Sequence, residues 1–133
     1  MSAAARQFDV PRSVLIIEDE HQICELLTDI LEEAGFETHC ACTDKAAYAA
    51  LAAGTRYAAV LVDINLGEGV TGFDVARFAR RRDPSVPVLY VTGHATEGSF
   101  KAFGVPDSAF VPKPFSPDDL LGKLLPLVDA AAR

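Results

Sequence analysis

From Ser13 onward the chain alternates between two hydrophobic patterns. Val14-Leu15-Ile16-Ile17, Ala58-Ala59-Val60-Leu61-Val62 and Val88-Leu89-Tyr90-Val91 are apolar on successive residues, not on every second one. Such runs mark strands covered on both faces, as in a parallel sheet. Two weaker runs, Phe36 to Cys42 and Ala109-Phe110-Val111, bring the expected strands to five.

Helical periodicity fills the gaps. Ile23, Leu26, Leu27, Ile30 and Leu31 follow the spacing of one buried helix face, and Gly35 ends that helix. Thr43 is placed to cap an Ala-rich helix that runs through Tyr48 and Leu51 to Gly54. A third helix is expected from Gly72 or Phe73, burying Val75, Phe78 and Ala79 and stopping before Pro84. A short fourth covers Ala95 to Phe103. The fifth opens with Ser116 as cap, Pro117 in the first turn and Asp119 in the box position. Its Leu120, Leu121, Leu124, Leu125 and Val128 are expected to face the sheet. Strands alternating with helices predict a doubly wound α/β fold: a five-stranded parallel sheet in a three-layer sandwich with right-handed crossovers.

At 133 residues the chain is the size of one domain. The expected division is a loosely held segment over residues 1–12 and one domain over 13–133. Apolar residues at 50% and charged residues at 23% exclude wholesale disorder. Twelve Lys and Arg against nineteen Asp and Glu leave a net charge of −7, which disfavours general binding to nucleic acid or anionic lipid. No run approaches the roughly 18 residues of a membrane span, and Met1 to Arg12 lacks the apolar core of a signal peptide. The expected location is the cytoplasm. Cys24, Cys40 and Cys42 carry no CxxC spacing and read as ordinary residues in a reducing compartment.

In an open parallel sheet, ligands bind beyond the carboxyl ends of the strands. Glu18 and Asp19 follow the first run, Asp63 and Asn65 the third, Thr92 the fourth and Lys113 the fifth. Carboxylates converging there would repel one another. A hard divalent cation relieves that repulsion, and Mg²⁺ suits a site of few carboxylates and an oxygen-rich substrate. An aspartate nucleophile, a metal, a hydroxyl and an ammonium are the residue types that phosphoryl transfer uses. Each also has a plainer role; Glu18-Asp19-Glu20, for instance, can serve as a capping and dipole device for the first helix.

Four pieces taken together carry a resemblance: Val14-Leu15-Ile16-Ile17-Glu18-Asp19-Glu20, Val60-Leu61-Val62-Asp63-Ile64-Asn65-Leu66, Val91-Thr92-Gly93 and Phe110-Val111-Pro112-Lys113-Pro114-Phe115. In this order, at consecutive strand ends, they resemble the receiver domain of response regulators, the phosphoacceptor module of two-component signalling, over about Ser13 to Ala130. The resemblance implies a flavodoxin- and CheY-like sheet of order 2-1-3-4-5 and a phosphorylated Asp63. It implies Mg²⁺ held by Asp19, Asp63 and the Asn65 carbonyl, with Glu18 acting mainly through water. Thr92 and Lys113 would contact the phosphoryl group, Phe110 would be an aromatic rotamer switch, and the Lys113–Pro114 bond would be cis. The implied partners are a histidine kinase or phosphotransfer protein and a downstream protein target, for a stand-alone receiver that is no enzyme beyond assisting its own phosphorylation and dephosphorylation.

Two positions depart from the pattern. Gly67 and Thr71 stand where the family has Pro and Gly, with Gly72 one place later, so the loop is one residue longer. His94 occupies a position where a small residue is common. The competing readings are a small phosphatase with an aspartate nucleophile, whose DxD would here end in Asn65, and a receiver-like module that binds partners without phosphorylation. Gly67-Glu68-Gly69-Val70-Thr71-Gly72 matches GxGxxG, but it follows the third strand and carries an acid that would oppose a pyrophosphate. Arg77, Arg80, Arg81 and Arg82 read as a solvated helix end that complements the macrodipole, and His21 and His39 as ordinary helix and strand residues.

Overall fold

Each apolar run becomes a strand and each periodic stretch a helix. A computed structural model describes residues 11–66, 71–93 and 97–132. The order is β1 (Ser13–Ile17), α1 (His21–Glu33), β2 (Glu37–Ala41), α2 (Asp44–Ala52), β3 (Ala59–Val62), α3 (Gly72–Arg82), β4 (Val88–Thr92), α4 (Glu97–Phe103), β5 (Ser108–Pro112) and α5 (Pro117–Ala131). The strands form one parallel sheet of order β2-β1-β3-β4-β5. Helices α1 and α5 cover one face around Ile16, Leu61 and Leu89, whereas α2, α3 and α4 cover the other around Leu15, Val60 and Tyr90. The central strands are therefore buried on both sides, which is why their sequences do not alternate.

Local signals set the helix ends. Thr43 Oγ1 accepts from Ala46 N at 3.0 Å, and Ser116 with Asp119 forms the expected reciprocal box. Thr71 and Asp74 form a second box at the start of α3, a pair whose spacing was equally legible in the sequence. Gly35 and Gly54 stop α1 and α2 with φ of +98° and +89°. The expected start of the fourth helix at Ala95 lies outside the described residues.

Two assignments of the core are corrected. Leu26 is 42% exposed and Leu125 40% exposed, so neither faces the sheet. In α1 the inward stripe is Cys24, Leu27, Ile30 and Leu31, the small thiol of Cys24 filling the position against β1 and β2. In α5 Leu120 and Leu124 are fully buried, and Leu121 and Val128 pack partly buried against the same cluster, so of the expected stripe Leu125 alone turns outward. Arg80 also departs from a solvated helix end. Its guanidinium donates to the carbonyls of Val86, Pro106 and Asp107, tying the end of α3 to the starts of β4 and β5.

Tyr90 occupies the middle of the second face. Its hydroxyl accepts from Val105 N at 3.1 Å, and its ring meets Phe73 and Phe100 at 5.2 and 5.8 Å. Tyr90→Phe keeps the ring and leaves a buried N–H without its acceptor, so urea unfolding is expected to show a loss of about 1–3 kcal/mol.

Candidate functional site

Backbone bonds carry the sheet ladder one residue past each strand and so hold the polar residues at one rim. Glu18 N donates to Ala41 O at 3.1 Å, Asp63 N to Ile17 O at 2.9 Å and Lys113 N to Thr92 O at 2.8 Å. Thr92 itself ends β4, and its side chain is buried along with those of Glu18 and Asp63. The Lys113–Pro114 bond is cis.

The ammonium of Lys113 lies among three acids. Its Nζ is 2.9 Å from Glu18 Oε2, 3.3 Å from Asp63 Oδ2 and 3.6 Å from Glu20 Oε1. Asp63 Oδ1 accepts from Asn65 N at 3.1 Å, which fixes the carboxylate plane, and Glu18 Oε1 accepts from Glu20 N at 3.2 Å. Glu18, Asp19, Glu20 and Asp63 each place one oxygen within 4.8 Å of the others. The structure thus brings together Glu18, Asp19, Asp63 and Lys113, with the backbone of Asn65 and the end of β4 at Thr92 beside them.

Glu20 is the residue that sequence reasoning did not select. It occupies the cap position of α1 without a side-chain capping bond, and its carboxylate turns to Lys113 instead. The only sequence signal was its place beside Glu18 and Asp19. Phe110 is half-buried and packs on Phe100, with ring centroids 5.0 Å apart. His94 and the loop residues 67–70 lie outside the described residues.

Electrostatics favour a further cation. Burial pushes the Glu18 carboxyl up to about 7, the contact with Lys113 opposes that push, and the neighbouring Asp63 charge adds to it. For Lys113, burial lowers the affinity for its proton, but Glu18 and Asp63 outweigh it and the net shift is upward. One ammonium faces four carboxylates, and Glu18 Oε2, although close to Nζ, has no donor in hydrogen-bond alignment. Such an all-oxygen donor set with an unsatisfied buried acceptor fits Mg²⁺. Glu18, Asp19 and Asp63 can hold it.

Gly72 adds a steric constraint beneath this rim. A Cβ at this position would lie 2.2 Å from the Asp63 carbonyl oxygen, and Gly72 N donates to Ile64 O at 2.7 Å. The first residue of α3 therefore rests directly on the backbone of the residue that carries the candidate phosphoacceptor.

Comparisons with known proteins identify the family to which this fold belongs. The family model for the response regulator receiver domain matches residues 14–125. The chain is 33% identical over 110 residues to the nitrogen assimilation regulatory protein NtrX of Azorhizobium caulinodans, covering 81% of this chain and 24% of that protein. It is 30% identical over 120 residues to the transcriptional regulatory protein TctD of Salmonella typhimurium, covering 90% of this chain and 53% of that protein. The chain thus spans about a quarter to a half of the length of these relatives. Among solved structures, a response regulator receiver protein from Sinorhizobium medicae superposes with a TM-score of 0.85 at 30% identity, covering 91% of this chain and 97% of that one. The response regulator TrrA from Thermotoga maritima, solved in complex with Mg(2+)-BeF, gives a TM-score of 0.73 at 28% identity, covering 87% and 98%. The chain belongs to the response regulator receiver domain family. Receiver domains are phosphoacceptor signalling modules of two-component systems, and they bind Mg²⁺ at an acidic pocket. Among the described residues no helix is long and apolar enough to cross a membrane.

Proposed function

We propose that Asp63 is the phosphoacceptor of this receiver domain, loaded by a histidine kinase or phosphotransfer protein in the cytoplasm and read by protein contact or onward phosphotransfer. The observation that carries this reading is the convergence of Lys113 Nζ on Asp63 Oδ2 at 3.3 Å inside a cluster of four carboxylates. Asp63 attacks the phosphorus of a phosphohistidine. The new P–O bond forms as the P–N bond breaks, and the leaving nitrogen keeps the electron pair and takes up a proton. Glu18, Asp19 and Asp63, with the Asn65 carbonyl, would hold Mg²⁺, which would supply positive charge to offset that of the transferred phosphoryl group. Lys113 moves from its carboxylates to pair with one phosphoryl oxygen, and the Thr92 hydroxyl donates to another. Phosphorylation then biases a two-state equilibrium in which Thr92 and Phe110 repack the surface of α4, β5 and α5.

Family membership and the absence of a second acid at Asn65 favour this over a phosphatase with an aspartate nucleophile. The intact Asp63–Lys113 contact favours it over a binding module that is never phosphorylated. Incubation with acetyl phosphate and Mg²⁺ is expected to add one phosphoryl mass to the intact chain. Asp63→Asn is expected to abolish the addition; the same gain in that variant, or no gain in the parent, refutes the assignment. Omitting the metal is expected to suppress labelling in the parent.

A further inference from the structure

On the flank of α4 opposite β5, Ile64, Asn65, Phe73, Arg77, Ser99 and Phe103 border an open cleft of about 420 Å³ between α3 and α4. Helix α4 divides its aromatic side chains. Phe100 turns inward to Tyr90 and Phe110, whereas Phe103 is 58% exposed and leans on the buried Phe73 at 5.7 Å. More than half of the ring at position 103 therefore stays in water, available to a partner. Aromatic and arginine side chains are the residues enriched where interfaces concentrate their binding energy. Arg77 stands on the same wall with its side chain 46% exposed, and its partner is Asp74 one turn earlier in α3. An exposed pair of this kind contributes little, so Arg77 can exchange Asp74 for another carboxylate at small cost.

We propose that this cleft docks a protein partner that lays a large apolar side chain against the exposed ring of Phe103 and sets an adjacent carboxylate against Arg77. The openness of the cleft argues for a side chain presented by a folded partner over a free small molecule, which needs enclosure to bury most of its surface. Among the described lining residues Arg77 is the cation, in a chain whose net charge is −7, so a carboxylate presented beside Phe103 finds its counter-charge here. This surface lies across α4 from the α4–β5–α5 face, and its occupation does not depend on the assignment of Asp63.

The chain has no tryptophan, so the fluorescence of a peptide tryptophan reports binding directly. Two helical peptides, identical except that a central Trp is flanked by Glu in one and Lys in the other, are titrated into the full chain. The Glu-flanked peptide is expected to bind about tenfold more tightly and to weaken with added salt. Arg77→Glu is expected to reverse the preference, and Phe103→Ser to weaken the Glu-flanked peptide about tenfold. Leu125→Ser, on α5 in the other layer, is expected to change neither. Equal binding of the two peptides, no binding of either, indifference to Arg77→Glu, or a loss that follows Leu125→Ser each overturns the proposal. So does a dimer of the free chain that Phe103→Ser dissociates, because the occupant is then a second copy.

Discussion

Gly72→Ala is expected to lower the unfolding free energy by about 3 kcal/mol and to reduce phosphoryl uptake from acetyl phosphate more than about tenfold. The added Cβ would fall 2.2 Å from the Asp63 carbonyl oxygen and 2.9 Å from both the Asp63 carbonyl carbon and Ile64 Cα. All three are backbone atoms, so no flexible side chain can yield. Either α3 lifts away, breaking the bond from Gly72 N to Ile64 O, or the Asp63–Ile64 peptide shifts. The second route drags Asp63 out of the arrangement set by Ile17 O, Asn65 N and Lys113 Nζ. Gly122→Ala is the matched control: nothing lies within 4 Å of its Cβ on an exposed turn of α5, and helix propensity predicts a gain of about 0.5–1 kcal/mol. Urea titration of both variants beside intact-mass labelling separates a steric requirement at Gly72 from a general intolerance of change.

The rim was legible in the sequence because parallel strands end at a common edge. Any polar residue directly after an apolar run is carried there by the ladder, as the bonds of Glu18, Asp63 and Lys113 to neighbouring strand ends show. Helix stripes were legible in phase but not in width. Periodicity places Leu26 and Leu125 next to inward positions, yet whether such a flank is covered depends on what the neighbouring element brings. Glu20 escaped because capping and reaching Lys113 use the same side chain in the same place, and only the spatial position of Lys113, 93 residues later, decides between them. The inward turn of Arg80 has the same origin, since its acceptors lie six to 27 residues away in sequence.

Without Mg²⁺, the protein is expected to lose stability as pH rises from about 4.5 to about 7, with Glu18 as the cause. The folded state holds the Glu18 proton more tightly than the unfolded chain does. Over that interval the native protein therefore binds more protons, and stability falls with increasing pH before levelling off above it. The upper bound on the loss is on the order of 3 kcal/mol. Lys113 has its affinity for the proton raised as well, so its contribution persists through this range and is lost only above its ordinary value of 10.5. A cation bound by carboxylates competes with the proton on Glu18. Millimolar Mg²⁺ is thus expected to raise the melting temperature clearly at about pH 8 and hardly at about pH 5. Glu18→Gln should flatten the slope between the two values and shrink the Mg²⁺ effect at the upper one. The difference between parent and variant isolates Glu18 from every group the two proteins share. An unchanged slope in Glu18→Gln would assign the pH dependence elsewhere and remove the argument that a buried, poorly partnered carboxylate creates the demand for the metal.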